Sequence, residues 1–476
     1  MLLVAASSCS QEQGPESPEP EGTAPVVESI TLGSGEALEN GAAHVSTASG
    51  SITVLYDQAV SLADASAITL NELQVSAQGM NVRIGIEYPE LEYSTEYTLT
   101  IPEGAVLSKE GGLPAAALTV KFTTESDPNA KFEPAIPGNY TETLVTAGAL
   151  SNAQRLYDYL LSVYGTHTLS GAMAHVDWNT DEADWVYKCT GKYPAVAGFD
   201  YLHLNSSPTD WIDYSDISVV EAWYNAGGIV SACWHWNVPR SEGSTEDFTS
   251  TASETAFKVS NIFVEGTWEK EVADADLKEM AGYLKLLQDK NIPVIWRPLH
   301  EAAGNRYLYD GGTAWFWWGN DGPDQYKRLW QYMYDFFAAE GVRNLIWVWT
   351  TQTTAVNDAD IAYYPGDNYV DIVSRDIYRT EGSAELTAQQ IAAQFDVVAS
   401  MVPHKMVTLS ECGSVPDMSA QWSAGAKWSW FMPWYDYDND YSEGFAHEHA
   451  GIDWWRASLA SEAVITRDEL PTNLYE

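Results

Sequence analysis

From Asn139 onward the chain alternates strand-like with helix-like patterning, and that rhythm restricts the fold more than any other feature of the sequence. Eight apolar runs stand out: His167–Ala174, Ala195–Tyr201, Gly228–Trp236, Pro293–Glu301, Asn344–Thr350, Asp371–Tyr378, Lys405–Glu411 and Trp428–Trp434. Stretches of helical period separate them, among them Ala153–Gly165, Asp276–Lys290, Asp324–Gly341 and Ala388–Met401. Strands that are apolar throughout must be covered on both faces, which a parallel sheet between helices achieves. Eight such units predict a closed (β/α)8 TIM barrel over residues 139–476.

Such a barrel gathers its chemistry at the C-terminal ends of its strands. Two of the runs end there in glutamate: NIPVIWRPLHE closes on Glu301 and HKMVTLSE on Glu411. A carboxylate pair at a barrel mouth suits a glycoside hydrolase, in which a protonated acid serves the leaving oxygen and a carboxylate attacks the anomeric carbon. Arg297, Leu299 and Glu301 occupy alternate positions and are expected on one strand face. A buried cation would then keep one carboxylate ionised while an apolar, tryptophan-lined pocket raises the pKa of the other. One strand-end glutamate alone is as readily a helix cap or a surface ion partner; two with aromatic surroundings are not.

A net charge of -43 repels phosphate backbones and anionic lipid, so no nucleic acid is expected as a partner. A neutral glycan fits, and 20 Trp and 27 Tyr supply flat rings for sugar faces beyond what a core needs. Cys9, Cys189, Cys233 and Cys412 form no CxxC pair and no histidine spacing suits zinc, so no metal, no cofactor and no disulfide framework are expected.

Residues 1–25 have another meaning. MLLVAASSC, with Ala6, Ser7 and Ser8 before Cys9, resembles a bacterial lipoprotein signal, and SQEQGPESPEPEGTAP after it has the composition of a disordered tether. Its acidic residues resemble the surface-export signal of Bacteroidetes lipoproteins. That implies an outer-membrane lipoprotein exposed at the cell surface, with a periplasmic or secreted location as the fallback. The membrane is then met only through a lipid anchor, because no other apolar run is long enough to span it.

Residues 26–126 read as a small all-β sandwich that precedes the barrel. Ser51–Gln58, Val82–Tyr88, Glu96–Pro102 and Ala117–Thr124 are short, β-branched and alternating, with Gly, Asn, Asp and Pro turns between them. The stretch YSTEYTLTIPEGAVLSKEGG, ending in VKFTT, resembles bacterial Ig-like domains. It carries no titratable cluster, which favours a spacer over a carbohydrate-binding module. Residues 127–138, stiffened by prolines, are expected to be a linker.

Six motifs narrow the barrel further: HWNVP (His235 to Pro239), WRPLHEAAG (Trp296 to Gly304), WFWWG (Trp315 to Gly319), RDIY (Arg375 to Tyr378), TLSECG (Thr408 to Gly413) and WFMPW (Trp430 to Trp434). In this order they resemble glycoside hydrolase family 26, dominated by endo-β-1,4-mannanases, over roughly Leu150 to the C-terminus. The resemblance implies Glu301 at the end of strand 4 as acid/base and Glu411 at the end of strand 7 as nucleophile. His300 would reach the reacting sugar or Glu411, and Tyr378 would hydrogen-bond the nucleophile. Asp376 would hold Arg297 or contact the substrate. His235 and Trp315 would line the subsite beside the scissile bond, and Trp434 would form its floor. The link Asn305–Ala314 is longer than the family's usual one, which bears on where Trp315 sits. The implied partner is a β-mannan polysaccharide or manno-oligosaccharide, met by a monomer. Alternatives are another family 26 specificity, on mixed-linkage β-glucan or β-1,3-xylan, or a non-catalytic glycan-binding surface lipoprotein.

Overall fold

Residues 22–127, 130–204, 212–305, 312–352, 360–380, 382–438, 441–442 and 444–475 are described by a computed structural model. Cys9 and the tether before residue 22 lie outside them, as do residues 306–311 of the Asn305–Ala314 link. The chain divides into two units, Met1–Pro128 and Asn129–Glu476.

The first unit is a sandwich. One sheet orders the strands Val27–Leu32, Gly50–Tyr56, Arg83–Tyr88 and Ser76–Met80, and the other Ala42–Val45, Leu118–Thr124, Glu96–Ile101 and Thr69–Leu70. Alternation builds the core: Ile52, Val54, Ile84, Ile86, Tyr97, Leu99, Val120 and Phe122 point inward and are buried. This is the Ig-like sandwich that the period-two runs predict.

The second unit is a closed barrel of eight parallel strands. They are β1 (Thr168–Met173), β2 (Val196–Asp200), β3 (Ile229–Trp234), β4 (Val294–Pro298), β5 (Leu345–Gln352), β6 (Ile372–Tyr378), β7 (Met406–Gly413) and β8 (Trp430–Pro433). Each pairs with the next, and β1 pairs with both β2 and β8, which closes the ring.

Two apolar layers follow from strand alternation. Ile229, Cys233, Ile295, Ile346, Val348, Ile372, Met406 and Met432 fill the barrel interior. Val230, Trp234, Val294, Trp296, Trp347, Trp349, Val373, Val407, Leu409 and Phe431 face outward to the helices. Local signals start those helices. Thr267 Oγ1 accepts the Lys270 N–H before Trp268–Asp289, Pro323 opens Pro323–Ala339, and a Thr387–Gln390 capping box opens Ala388–Met401. Residues 130–138 are fastened to this unit, with the Phe132 ring against Tyr159 and beneath the Arg155 guanidinium. No described helix is long and apolar enough to cross a membrane.

Candidate active site

The expected face shared by Arg297, Leu299 and Glu301 does not form. β4 stops at Pro298, Leu299 packs in the outer layer, and both Leu299 (φ 49°) and Glu301 (φ 52°) adopt left-handed backbone. Strand alternation cannot pass through such a turn, so Glu301 sits beyond the strand rather than on it. The turn is strained for a branched residue but tied down on all sides. Tyr326 Oη donates to Leu299 O (2.9 Å), Trp318 Nε1 to His300 O (2.8 Å), and Glu301 N–H to Thr350 O (3.2 Å).

Glu411 is turned inward by a different device. On β6 and β7, Arg375 pairs with Leu409 and Asp376 with Glu411, which leaves Ser410 as an extra residue in β7. The pairing with β8 shows the same excess, four residues of β7 from Leu409 to Cys412 against three from Phe431 to Pro433. With Leu409 and Cys412 both outward, Ser410 and Glu411 both face the interior. Unbroken alternation from Leu409 would have sent Glu411 to the helices.

Around Glu411 the partners are dense. Arg297, buried at the end of β4, donates through Nη2 to Glu411 Oε1 and through Nη1 to Asp376 Oδ2 (3.1 Å). Tyr378 Oη donates to Glu411 Oε2 (2.8 Å). Ser410 Oγ donates to Asp376 Oδ1 (2.7 Å) and also meets Ser374 Oγ. Asp376 is therefore a holder of Arg297, 1% exposed and spent on protein partners.

The two glutamates have unlike electrostatics. Burial, and then the negative charges of Asp376 and Glu411, push the Glu301 carboxyl well above its usual range. Burial and Glu411 push Asp376 up as well, but Arg297 and Ser410 oppose them. Of the two, Asp376 is the one that Arg297 bonds, which favours its ionised form and leaves Glu301 the one pushed toward protonation.

His235, just past β3, donates its backbone N–H to Asp200 Oδ1 (3.1 Å) and holds Asp200 Oδ2 through Nδ1. Burial opposes a charge on His235, yet Asp200 outweighs it and the pKa is raised. His300 is the reverse: burial, then His235 and Arg297, hold it well below the usual value. The Nε2 atoms of the two rings lie 3.2 Å apart, so His235 donates and neutral His300 accepts. His300 Nδ1 then carries the proton, buried and without a protein partner among the described residues. His300 meets His235 rather than Glu411. Cys233 lies near Asp200 and His235, but burial raises its thiol and the carboxylate is engaged, so this trio is a poor metal site.

The aromatic residues divide by exposure. Trp315, 40% exposed, lies against Gly304 in the turn that begins at Glu301, where a Cβ would come within 2.2 Å of its ring. Phe316 faces His235 and His300, at centroid distances of 5.5 and 5.0 Å. Trp317 and Trp318 are buried. The Trp434 ring is 5.9 Å from His235, across the mouth. Three participants escaped the sequence reading: Asp200, Phe316 and Ser410. Asp200 ends β2 as Glu411 closes its run, so the strand-end rule could have found it; nothing in the sequence marks the bulge at Ser410.

Comparison with known proteins gives the family. The model of Glycosyl hydrolase family 26 matches residues 145–459. A mannan endo-1,4-beta-mannosidase B of Piromyces sp is 33% identical over 375 residues, 75% of this chain and 58% of the relative. The chain thus spans less than three fifths of that relative's length. Among solved structures, the GH26 domain of a Prevotella bryantii endo-beta-mannanase/endo-beta-glucanase is 41% identical with a TM-score of 0.63, covering 69% of this chain and 99% of that one. A beta-mannanase from a symbiotic protist of the termite Reticulitermes speratus, complexed with gluco-manno-oligosaccharide, is 33% identical with a TM-score of 0.59, covering 70% and 98%. A family match over 145–459, laid on a barrel whose fourth and seventh strands deliver the two glutamates, makes the chain a member of glycosyl hydrolase family 26.

Proposed function

We propose that the protein is a retaining endo-β-1,4-mannanase in which Glu411 is the nucleophile and Glu301 the acid/base. The observation that carries this reading is the contrast between the carboxylates. Glu411 is clasped by Arg297 and Tyr378, while Glu301 is pushed toward its protonated form. Glu301 gives its proton to the leaving glycosidic oxygen as Glu411 attacks the anomeric carbon. Glu301, now a carboxylate, then takes a proton from the water that releases the sugar. Asp200 fixes His235, which fixes His300, whose Nδ1–H is left to bond a sugar hydroxyl. Trp434 and Phe316 flank this pair, and Trp315 offers a face for the sugar on the Glu301 side. The mannan preference rests on the relatives named above.

The test is product analysis on mannan, galactomannan, glucomannan, xylan and lichenan, with proton NMR of the first product. Retained configuration and release of manno-oligosaccharides support the reading. Inversion would overturn the chemistry, and release only from lichenan or xylan would overturn the specificity.

The same reading extends to the cell. The protein is a monomeric surface lipoprotein anchored through Cys9, with the Ig-like sandwich as a spacer. The sequence before residue 22 supports the anchor, and a site complete within one chain supports the monomer. Cys9→Ala should release the full-length protein from the membrane fraction; a variant that stays there refutes the anchor.

A further inference from the structure

The segment that follows β8 brings toward the nucleophile a side chain that no step above uses, His449. Its ring meets Tyr378 edge-on, with centroids 5.6 Å apart, and Tyr378 is the residue that bonds Glu411 Oε2. Gly413 at the end of β7 makes the room, since a Cβ there would fall 2.4 Å from His449 Nδ1.

The backbone around this imidazole is pinned. Ser414 N–H donates to His449 O (2.9 Å), Ser414 Oγ–H to Glu448 O (3.0 Å), and Glu448 N–H to Asp436 Oδ2 (2.6 Å). Behind it lies a buried latch. His447 Nδ1 accepts the N–H groups of His449 (3.0 Å) and Ala450 (2.9 Å), so Nε2 carries the proton that it gives to buried Glu182. Every polar group of this latch is satisfied, yet neither ring nitrogen of half-buried His449 has a hydrogen-bond partner among the described residues. A ring whose nitrogens are not spent on the protein is free to bond a ligand hydroxyl.

We propose that His449 is a substrate-binding residue that hydrogen-bonds a hydroxyl of the sugar unit attacked by Glu411. The ring sits one tyrosine away from the nucleophile carboxylate, and burial holds it neutral, so it can donate from one nitrogen and accept at the other. That pairing suits a sugar hydroxyl, which also does both. The proposal rests on the mannanase reading and adds a contact from the wall formed by β7 and the segment after β8.

The test uses the full chain with mannohexaose, separating kcat from KM for His449→Ala, His449→Gln and His449→Phe. His449→Ala should raise KM between about twofold and about tenfold, the range one neutral hydrogen bond spans. His449→Gln should recover most of the loss, because an amide also donates and accepts. His449→Phe should not, although its ring still packs on Tyr378. Wild-type KM in His449→Ala, full recovery in His449→Phe, or equal kcat losses at unchanged KM in all three would overturn the proposal, by showing that the ring only packs. If the wild type cleaves another glycan of the panel and not mannohexaose, the specificity reading has failed, and the same variants are then read on that glycan.

Discussion

At the end of β4 a glutamate reaches the barrel mouth through a left-handed turn; at the end of β7 one reaches it through a bulge. The supports differ with the device. The β4 turn is held mainly from outside the barrel, by Tyr326 and Trp318 of the surrounding helices and by the backbone of β5. The β7 bulge is held from inside, by Ser374, Asp376, Arg297 and Tyr378. The proposed nucleophile is the carboxylate bonded by a cation and a phenol. The proposed acid is the one left among other negative charges, without a cation bonded to it. The lesson is that backbone geometry and electrostatics were solved together at each strand end.

Removing the inner carboxylate should have the largest effect. Glu411→Ala is expected to lower kcat by more than about 10⁴-fold on natural and activated mannosides alike, because no covalent intermediate can form. Turnover close to that of the wild type on either substrate would break the contrast at its root. Glu301→Ala should cost about 10²- to 10⁴-fold on mannan but much less on an aryl mannoside with a good leaving group, and azide should restore part of the loss. Equal losses on both substrates would mean the roles are misassigned.

Smaller changes sharpen the comparison. Tyr378→Phe deletes one hydrogen bond to the Glu411 carboxylate and should lower kcat about 10- to 100-fold, as expected for a bond to a charged group. Asp376→Asn addresses pH. With Glu301 as the proposed protonated acid, kcat/KM should fall as pH rises through its pKa, and removing the Asp376 charge lowers that pKa. The alkaline limb should therefore move to lower pH; an unmoved limb or an upward move would show that Asp376 does not act on Glu301. Tyr326→Phe, which frees the Leu299 carbonyl, should cost about 1 kcal/mol in thermal unfolding and only a few-fold in kcat. A loss as large as that of Tyr378→Phe would mean that the outer support governs catalysis as much as the inner one.

Much of this architecture was legible because it is periodic. The sandwich strands alternate at period two and each inward residue proved buried, as Ile84 and Ile86 illustrate. The barrel strands announced themselves as apolar runs too long and too uniform to be half-exposed. The site was legible where a polar residue interrupts such a run at its C-terminal end, as Glu411 and Asp376 do. It was illegible where the backbone leaves its period. The run through WRPLHE looks continuous, yet Leu299 packs outward and Glu301 lies past a positive-φ turn, so alternation assigned both to the wrong surroundings. His300 was expected at the sugar or at Glu411; its Nε2 meets His235, 65 positions away in sequence and itself oriented by Asp200, a relation that no local pattern shows.

The sequence by itself determined the layers, the strand count and the two glutamates at strand ends, because hydrophobic period and residue type are local properties. Only the tertiary structure decided which way each glutamate faces and that burial and neighbouring charge push Glu301 toward its protonated form. A bulge at Ser410 inverts the parity of a strand only relative to its neighbours β6 and β8. The pKa of Glu301 depends on charges from β6 and β7 that no window of sequence around Glu301 contains. Register and long-range electrostatics are relations between distant segments, and they come into existence only when the barrel closes.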